Sequence, residues 1–191
     1  MTRVWYACYG SNLWWDRFRC YLEGGTAPGS QRAQPGARDA RPPTSDGPLE
    51  IPHRLVFAGA SKSWGGGGVA FLSLSVEPDL PTRARRYLIT AEQFSDVVAQ
   101  EGGRAPGVDL DIDQIVSAGS AAVGSGWYDL VMAVGEHEGL PILTFTSSKL
   151  ETLPETQPSS EYATTIVNGL VESHHLTQAE AHQYISTRVG G

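Results

Sequence analysis

The sequence has few cysteines, no long apolar run and an excess of acidic over basic residues. Two cysteines, Cys8 and Cys20, stand in 191 residues. Two thiols make no disulfide framework, and no CxxC pair is present, so we expect both to be reduced and buried. No stretch approaches the ~20 apolar residues that span a bilayer, and no signal peptide is recognisable. We therefore expect a cytoplasmic protein that does not contact a membrane.

The charge balance disfavours nucleic-acid binding. Fourteen Lys and Arg residues stand against 21 Asp and Glu residues, which gives a formal net charge of −7. Proteins that bind the phosphate backbone of nucleic acids need a basic face. The composition otherwise fits one globular domain over 1–191, with 40% hydrophobic and 18% charged residues.

Three patterns resemble metal sites, but each lacks a required ligand. Asp109, Asp111 and Asp113 alternate as in a calcium loop, without the expected glycine and terminal glutamate, so they indicate a solvated acidic edge or a helix start. His137-Glu138 has Pro141 where a zinc-binding HExxH motif needs histidine. The C-terminal histidines lack a nearby cysteine or well-spaced carboxylate, and we expect surface or capping roles for His174, His175 and His182. No metal is predicted.

The apolar patterns predict a mixed α/β or α+β domain: a small β-barrel or curved sheet flanked by helices. Strands are expected at 3–9, 54–61, 69–76, 83–90, 127–134 and 142–147. Helices are expected from Leu13 to the glycines at 24–25, over 90–101, where Thr90 and Gln93 form a capping box, and within 161–185. Between them lie two Gly- or Pro-rich stretches, 26–48 and 102–124, which we interpret as loop insertions.

The first insertion has two interpretations. A surface loop without further role is favoured, because five prolines and three glycines supply no core face. The alternative is a flap whose Arg32, Arg38 and Arg41 meet an acidic group.

The turn Tyr9-Gly10-Ser11-Asn12 ends the first strand and leads into the first helix. The first amides of a helix lack partners and attract negative charge. A glycine permits close approach of a ligand, and Ser11 and Asn12 can cap the helix or bind that ligand. A plain capped turn would show the same residues, so the turn alone leaves both interpretations open.

The ordered set of motifs resembles the γ-glutamyl cyclotransferase (AIG2-like) family. YGSN after an apolar strand is similar to its signature loop, and Trp64 with Gly67-Gly68-Val69-Ala70 is similar to its Trp-x-Gly-Gly-x-Ala hairpin. DVVAQEG over 96–102 and Ser125-Gly126-Trp127-Tyr128 are similar to its acidic helix end and its Ser-Gly-x-Tyr strand. The resemblance covers most of the chain apart from 26–48 and 102–124.

The resemblance implies a small mixed α/β barrel with a pocket, and a cofactor-independent enzyme of the amidine-lyase or acyltransferase type. Its small-molecule γ-glutamyl substrate closes to 5-oxoproline and releases an amine or amino acid. One carboxylate can move both protons of this reaction, and the matching residue is Glu101. The implied substrate-binding residues are Tyr9, Gly10, Ser11, Asn12, Leu13, Tyr128 and Tyr162. The leaving amine and the oligomeric state are left open.

Two other functions remain possible at this stage. An amidase or acyl transferase would use Ser11 or Cys8 as nucleophile, although no G-x-S-x-G elbow is present. A non-catalytic domain would use the same pocket to bind a glutamyl-like metabolite or a partner protein.

Overall fold

The computed structural model describes residues 2–189, and in this range the chain forms eight strands and five helices. The strands are β1 (Arg3–Cys8), β2 (Ser45–Ile51), β3 (His53–Ala58), β4 (Val69–Val76), β5 (Thr82–Thr90), β6 (Ser120–Ala122), β7 (Leu130–His137) and β8 (Leu140–Thr146). The helices are α1 (Trp15–Glu23), α2 (Ala91–Glu101), α3 (Ile112–Ala118), α4 (Ser160–His174) and α5 (Gln178–Ser186). Short 3-10 turns occur at Ser11–Leu13, Lys62–Trp64 and Leu150–Thr152.

β1 lies inside a six-stranded mixed sheet of order β2-β5-β1-β8-β7-β6. It pairs antiparallel with β5 and parallel with β8, so that Trp5 stands beside both Leu88 and Ile142. β3 and β4 form a separate antiparallel hairpin. The mixed α+β architecture predicted from the sequence is confirmed.

Alternate residues of β1 enter two different cores, as the period of two along a strand requires. Trp5, Ala7 and Tyr9 join the apolar cluster that contains the β3–β4 hairpin and helices α4 and α5. Val4, Tyr6 and Cys8 join the cluster on the other face, which contains α1, α2 and α3. The carboxyl end of β1 therefore emerges between two packed layers.

The segment 26–48 is tied to the domain, and Arg38 meets acidic groups as the alternative interpretation expected, whereas a surface loop without further role was favoured. Its last residues, from Ser45, belong to β2 and pair with β5. The fully buried Asp96 carboxylate accepts hydrogen bonds from the Arg38 main-chain N–H at 2.9 Å and from Arg38 Nε at 3.0 Å. Arg38 Nη2 also contacts Asp109 Oδ1, 2.5 Å away. One arginine thus joins this segment to α2 and to the segment 102–124.

The segment 102–124 also contains regular structure that the loop interpretation missed, namely α3 and β6. Asp111 caps α3 by accepting a hydrogen bond from Gln114 N at 2.9 Å, so part of the acidic stretch is a helix start. Its apolar residues Ile112 and Ile115 are buried against the second core cluster. This helix is seven residues long and buries only these two, and such a short pattern is weak in sequence.

The two cysteines are as the composition predicts. Cys8 and Cys20 are free and buried. No helix within residues 2–189 is long and apolar enough to span a bilayer. In the same range, no group of three or more His, Cys, Asp or Glu side chains is arranged to hold a metal ion. Of the C-terminal histidines, His175 ends α4 in a left-handed conformation, with φ of 56°.

Candidate functional site

A cavity of about 250 Å³ lies where the end of β1 meets the end of α2 and the loop between β3 and β4. Seven of the eight residues predicted for the site line it: Tyr9, Gly10, Ser11, Asn12, Glu101, Tyr128 and Tyr162. The structure therefore brings together side chains that are up to 153 positions apart in the chain (162 − 9).

Leu13 is the predicted residue that does not line the cavity. Its side chain is fully buried in the core, where it packs on Gly169 of α4. A Cβ at Gly169 would lie 2.3 Å from Leu13 Cβ, so α4 can approach the turn only at a glycine. The Leu13 N–H donates to Gly10 O at 3.1 Å and is not available to a substrate.

The turn after β1 also differs from the predicted strand-to-helix junction. Ser11–Leu13 form a separate 3-10 turn, Trp14 is extended, and α1 begins only at Trp15. The turn Tyr9-Gly10-Ser11-Asn12, called the signature turn below, is therefore not the first turn of the α-helix. Instead, β5 holds its carbonyls: Arg85 Nη1 donates to Leu13 O at 3.1 Å, and Tyr87 Oη to Asn12 O at 3.3 Å.

Glu101 is the last residue of α2, and the sequence of that helix explains its position. Thr90 and Gln93 form the predicted capping box at the start, with hydrogen bonds of 3.1 and 3.0 Å. Phe94, Val97 and Val98 are fully buried and fix the helix against the sheet. The carboxylate of Glu101 therefore projects from a rigid element into the cavity.

Asn12 connects the signature turn to that carboxylate. Its Nδ2 donates to Glu101 Oε1 at 3.0 Å and to Tyr6 Oη at 3.1 Å, which uses both amide hydrogens. Its Oδ1 is buried and has no hydrogen-bond partner among the described residues. The amide thus orients one oxygen of Glu101 and keeps an acceptor of its own unused.

The three predicted tyrosines are held by the main chain. Tyr9 Oη donates to Phe145 O at 2.6 Å, and Tyr128 Oη donates to Ala70 O at 2.9 Å. Tyr162 Oη instead accepts from Ala70 N at 3.1 Å, so its own proton is free to point elsewhere. Burial raises the pKa of Tyr162 to about 12. All three phenols are therefore protonated at neutral pH.

Sequence reasoning missed Arg17, a charged residue of α1 that lines the cavity. The side chain is buried, with 5% of its surface exposed, and lines the cavity with Tyr21 and Trp64. Its guanidinium carbon lies 4.9 Å from the centre of the Tyr21 ring and 5.6 Å from that of Trp64. The spacing of four between Arg17 and Tyr21, which places both on one helix face, was the available signal.

The mouth of the cavity combines residues from separate segments. Arg32, from the segment 26–48, donates from Nη2 to Gln100 O at 3.2 Å and lines the cavity. Trp127 also lines the cavity and is 39% exposed. The first of the two Gly- or Pro-rich segments thus contributes to the entrance.

Comparisons with known proteins identify the fold. No protein-family model matches the chain. The structure is similar to that of the uncharacterized human protein loc79017, with a TM-score of 0.56 and 17% identity over 96% of this chain and 87% of that one. It is also similar to a structure named gamma-glutamyl cyclotransferase, with a TM-score of 0.55 and 16% identity over 95% and 86% of the two chains. The chain has the γ-glutamyl cyclotransferase-like fold, so the resemblance seen in the sequence is confirmed for the fold.

A curated relative places a similar segment within a longer protein. The chain is 38% identical over 202 aligned residues to histone deacetylase 5 of Arabidopsis thaliana. The match covers 97% of this chain but spans only 31% of that protein's length.

Proposed function

We propose that this protein is a γ-glutamyl cyclotransferase-like enzyme that converts an N-terminal γ-glutamyl group into 5-oxoproline and releases an amine or amino acid. The observation that carries the proposal is the hydrogen bond of 3.0 Å between Asn12 of the signature turn and Glu101 Oε1, at the wall of one cavity. No metal or other cofactor enters the mechanism.

The reaction needs one group that accepts a proton and then returns it. The α-amine of the substrate attacks its own γ-carbonyl carbon and forms the new C–N bond, while Glu101 takes a proton from that amine. The old C–N bond then breaks, and Glu101 gives the proton to the departing nitrogen. No water is consumed. A positioned carboxylate of this kind contributes typically 10²–10⁴-fold to the rate.

The residues around Glu101 can position the substrate and stabilise the charge that forms during the reaction. Asn12 holds one oxygen of Glu101, which leaves the rest of the carboxylate for the substrate amine. The turn at Gly10–Asn12 faces the same cavity, and main-chain amides there would stabilise the oxyanion that forms on the γ-carbonyl. Tyr9 and Tyr128 form walls of the cavity, since their hydroxyls already donate to main-chain carbonyls. The hydroxyl proton of Tyr162 is available to orient the substrate.

The nucleophile alternative receives little support from the site. Cys8 is not among the residues that line the cavity; its thiol donates to Arg85 O, and burial raises its pKa. Ser11 does line the cavity, but no histidine lines it to act as its base.

The test is release of 5-oxoproline, measured by mass spectrometry, from a panel of γ-glutamyl amino acids and γ-glutamyl amines. We expect release from at least one member, and a loss of at least about 100-fold in kcat for Glu101→Gln. Glu92→Gln, on the exposed start of the same helix, is the matched control and should keep its activity. A Glu101→Gln protein with undiminished turnover would refute the role of Glu101. Binding of γ-glutamyl compounds without any turnover would favour the non-catalytic alternative.

A further inference from the structure

Arg17 is a buried cation with unused hydrogen-bonding capacity. Its Nη2 donates to Tyr21 Oη at 2.9 Å, while Nε and Nη1 are buried and have no hydrogen-bond partner in the described part of the chain. Within residues 2–189, no carboxylate lies within the 4.0 Å of its nitrogens that an ion pair requires.

This arrangement is unfavourable for the empty protein. Burying a charge without a partner costs several kcal/mol, and buried arginines are almost always paired. Two aromatic rings offset part of that cost through cation–π contacts. Burial lowers the pKa of Arg17, but Tyr21 and Glu101 oppose it, and the balance lies above the ordinary value. The group therefore stays charged and lacks an anion.

Arg17, Tyr21 and Glu101 line the same cavity, which brings a cation and a carboxylate to one site. The Tyr21 hydroxyl accepts the hydrogen bond from Arg17, and after burial the charge of Glu101 is the largest influence that raises the pKa of Tyr21. One hydroxyl thus stands beside both the cation and the carboxylate. In a γ-glutamyl group the α-amine and the α-carboxylate are attached to the same carbon, so they require two such groups side by side.

We propose that Arg17 binds the α-carboxylate of the γ-glutamyl group while Glu101 contacts its α-amine. The inference rests on the proposed function and assigns a residue to each end of the substrate head group. The main-chain amides of the signature turn then remain available to bind the γ-carbonyl oxygen. A substrate without the carboxylate would leave the guanidinium buried and unpaired, so the site should reject it strongly.

Two matched substrates test the assignment. One is the γ-glutamyl amide of the best amine in the panel, and the other is the 4-aminobutanoyl amide of the same amine, which differs only by the missing α-carboxylate. Both react by attack of the amine on the carbonyl carbon and loss of the same amine, without water. The products are 5-oxoproline and 2-pyrrolidinone, respectively.

We expect the unmodified protein to prefer the γ-glutamyl substrate by about 30-fold or more in kcat/KM, because a substrate that lacks the carboxylate leaves the buried guanidinium without a counter-charge. Arg17→Met should remove most of this preference by lowering kcat/KM for the γ-glutamyl substrate alone. Arg17→Lys keeps the charge and should retain part of the preference. Arg19→Met, on the same helix with its side chain 49% exposed, is the matched control and should change neither value.

Product binding, measured by calorimetry, separates failure of this inference from failure of the proposed function. The unmodified protein and Arg19→Met should bind 5-oxoproline more tightly than 2-pyrrolidinone, and Arg17→Met should not distinguish them. That result without any turnover would reject the enzyme proposal and support carboxylate binding by Arg17. Equal losses for both substrates in Arg17→Met, with the preference unchanged, would overturn the inference. So would equal binding of both products by the unmodified protein.

Discussion

Gly10 lies directly below the hydroxyl of Tyr162, and this contact predicts a specific steric effect. A Cβ at position 10 would stand 2.7 Å from Tyr162 Oη and 3.3 Å from Ala70 Cβ. The φ angle of Gly10 is −109°, outside the left-handed region that favours glycine, so the contact with Tyr162 is the feature that Gly10→Ala is designed to test. The hydroxyl cannot move away cheaply, because it accepts a hydrogen bond from Ala70 N at 3.1 Å.

We expect Gly10→Ala to lower the free energy of unfolding by about 1–3 kcal/mol, the usual cost of overpacking. Tyr162→Phe should cost about 1–3 kcal/mol by itself, because it leaves the buried Ala70 N–H without an acceptor. The double variant should cost less than the sum, by about 1 kcal/mol. Once the oxygen is removed, the next ring atom, Tyr162 Cζ, is 3.9 Å from the new Cβ, an ordinary contact.

Urea unfolding of the four proteins, followed by circular dichroism, measures this coupling. Independent sites usually add within about 0.3–0.5 kcal/mol. Additive losses, or a Gly10→Ala protein as stable as the original, would refute the idea that Gly10 is required by the hydroxyl of Tyr162.

Two further predictions concern groups outside the cavity. Asp96→Asn should lower the free energy of unfolding by about 2–3 kcal/mol, less than for a fully buried pair because the Arg38 side chain is 33% exposed. Urea unfolding measures this loss, with the exposed Asp79→Asn as the control. Equal unfolding midpoints for the two variants would contradict the prediction. Burial lowers the pKa of His174, so the neutral imidazole is favoured in the folded state. The stability that this side chain contributes is therefore present above its ordinary pKa near 6.5, and it is lost as the pH falls through the folded-state pKa. The unfolding free energy should therefore depend less on pH below about 6.5 in His174→Gln than in the exposed control His182→Gln, and identical pH profiles would count against this prediction.

Much of the fold followed from local patterns. The apolar residues of β1, β4 and β5 predicted their strands closely, because short apolar runs are typical of strands buried in a sheet. The capping box at Thr90 predicted the start of α2. Boundaries were less accurate where packing decides them: α1 begins at Trp15 instead of Leu13, and β7 begins at Leu130, after Trp127 and Tyr128.

The candidate site also combines features that local sequence predicts with features that only packing determines. The sequence by itself determined the YGSN turn after a buried strand and a glutamate at the end of a capped helix, since each is encoded within about a dozen residues. Only the tertiary structure decided that Asn12 contacts Glu101, that Tyr162 covers Gly10, and that Arg38 is anchored by Asp96. These pairs are separated by 89, 152 (162 − 10) and 58 positions along the chain.

Arg17 shows most clearly why the sequence alone could not predict every residue of the site. In sequence it is one of several charged residues between the apolar positions of α1, and only its spacing of four from Tyr21 distinguishes it from Arg19. In the structure, Arg17 is 5% exposed between two rings, whereas the side chain of Arg19 is 49% exposed and pairs with Asp16. Whether a charge is solvated or buried depends on what packs over it, and Trp64, which belongs to the core cluster on the other face of the sheet, supplies part of that cover.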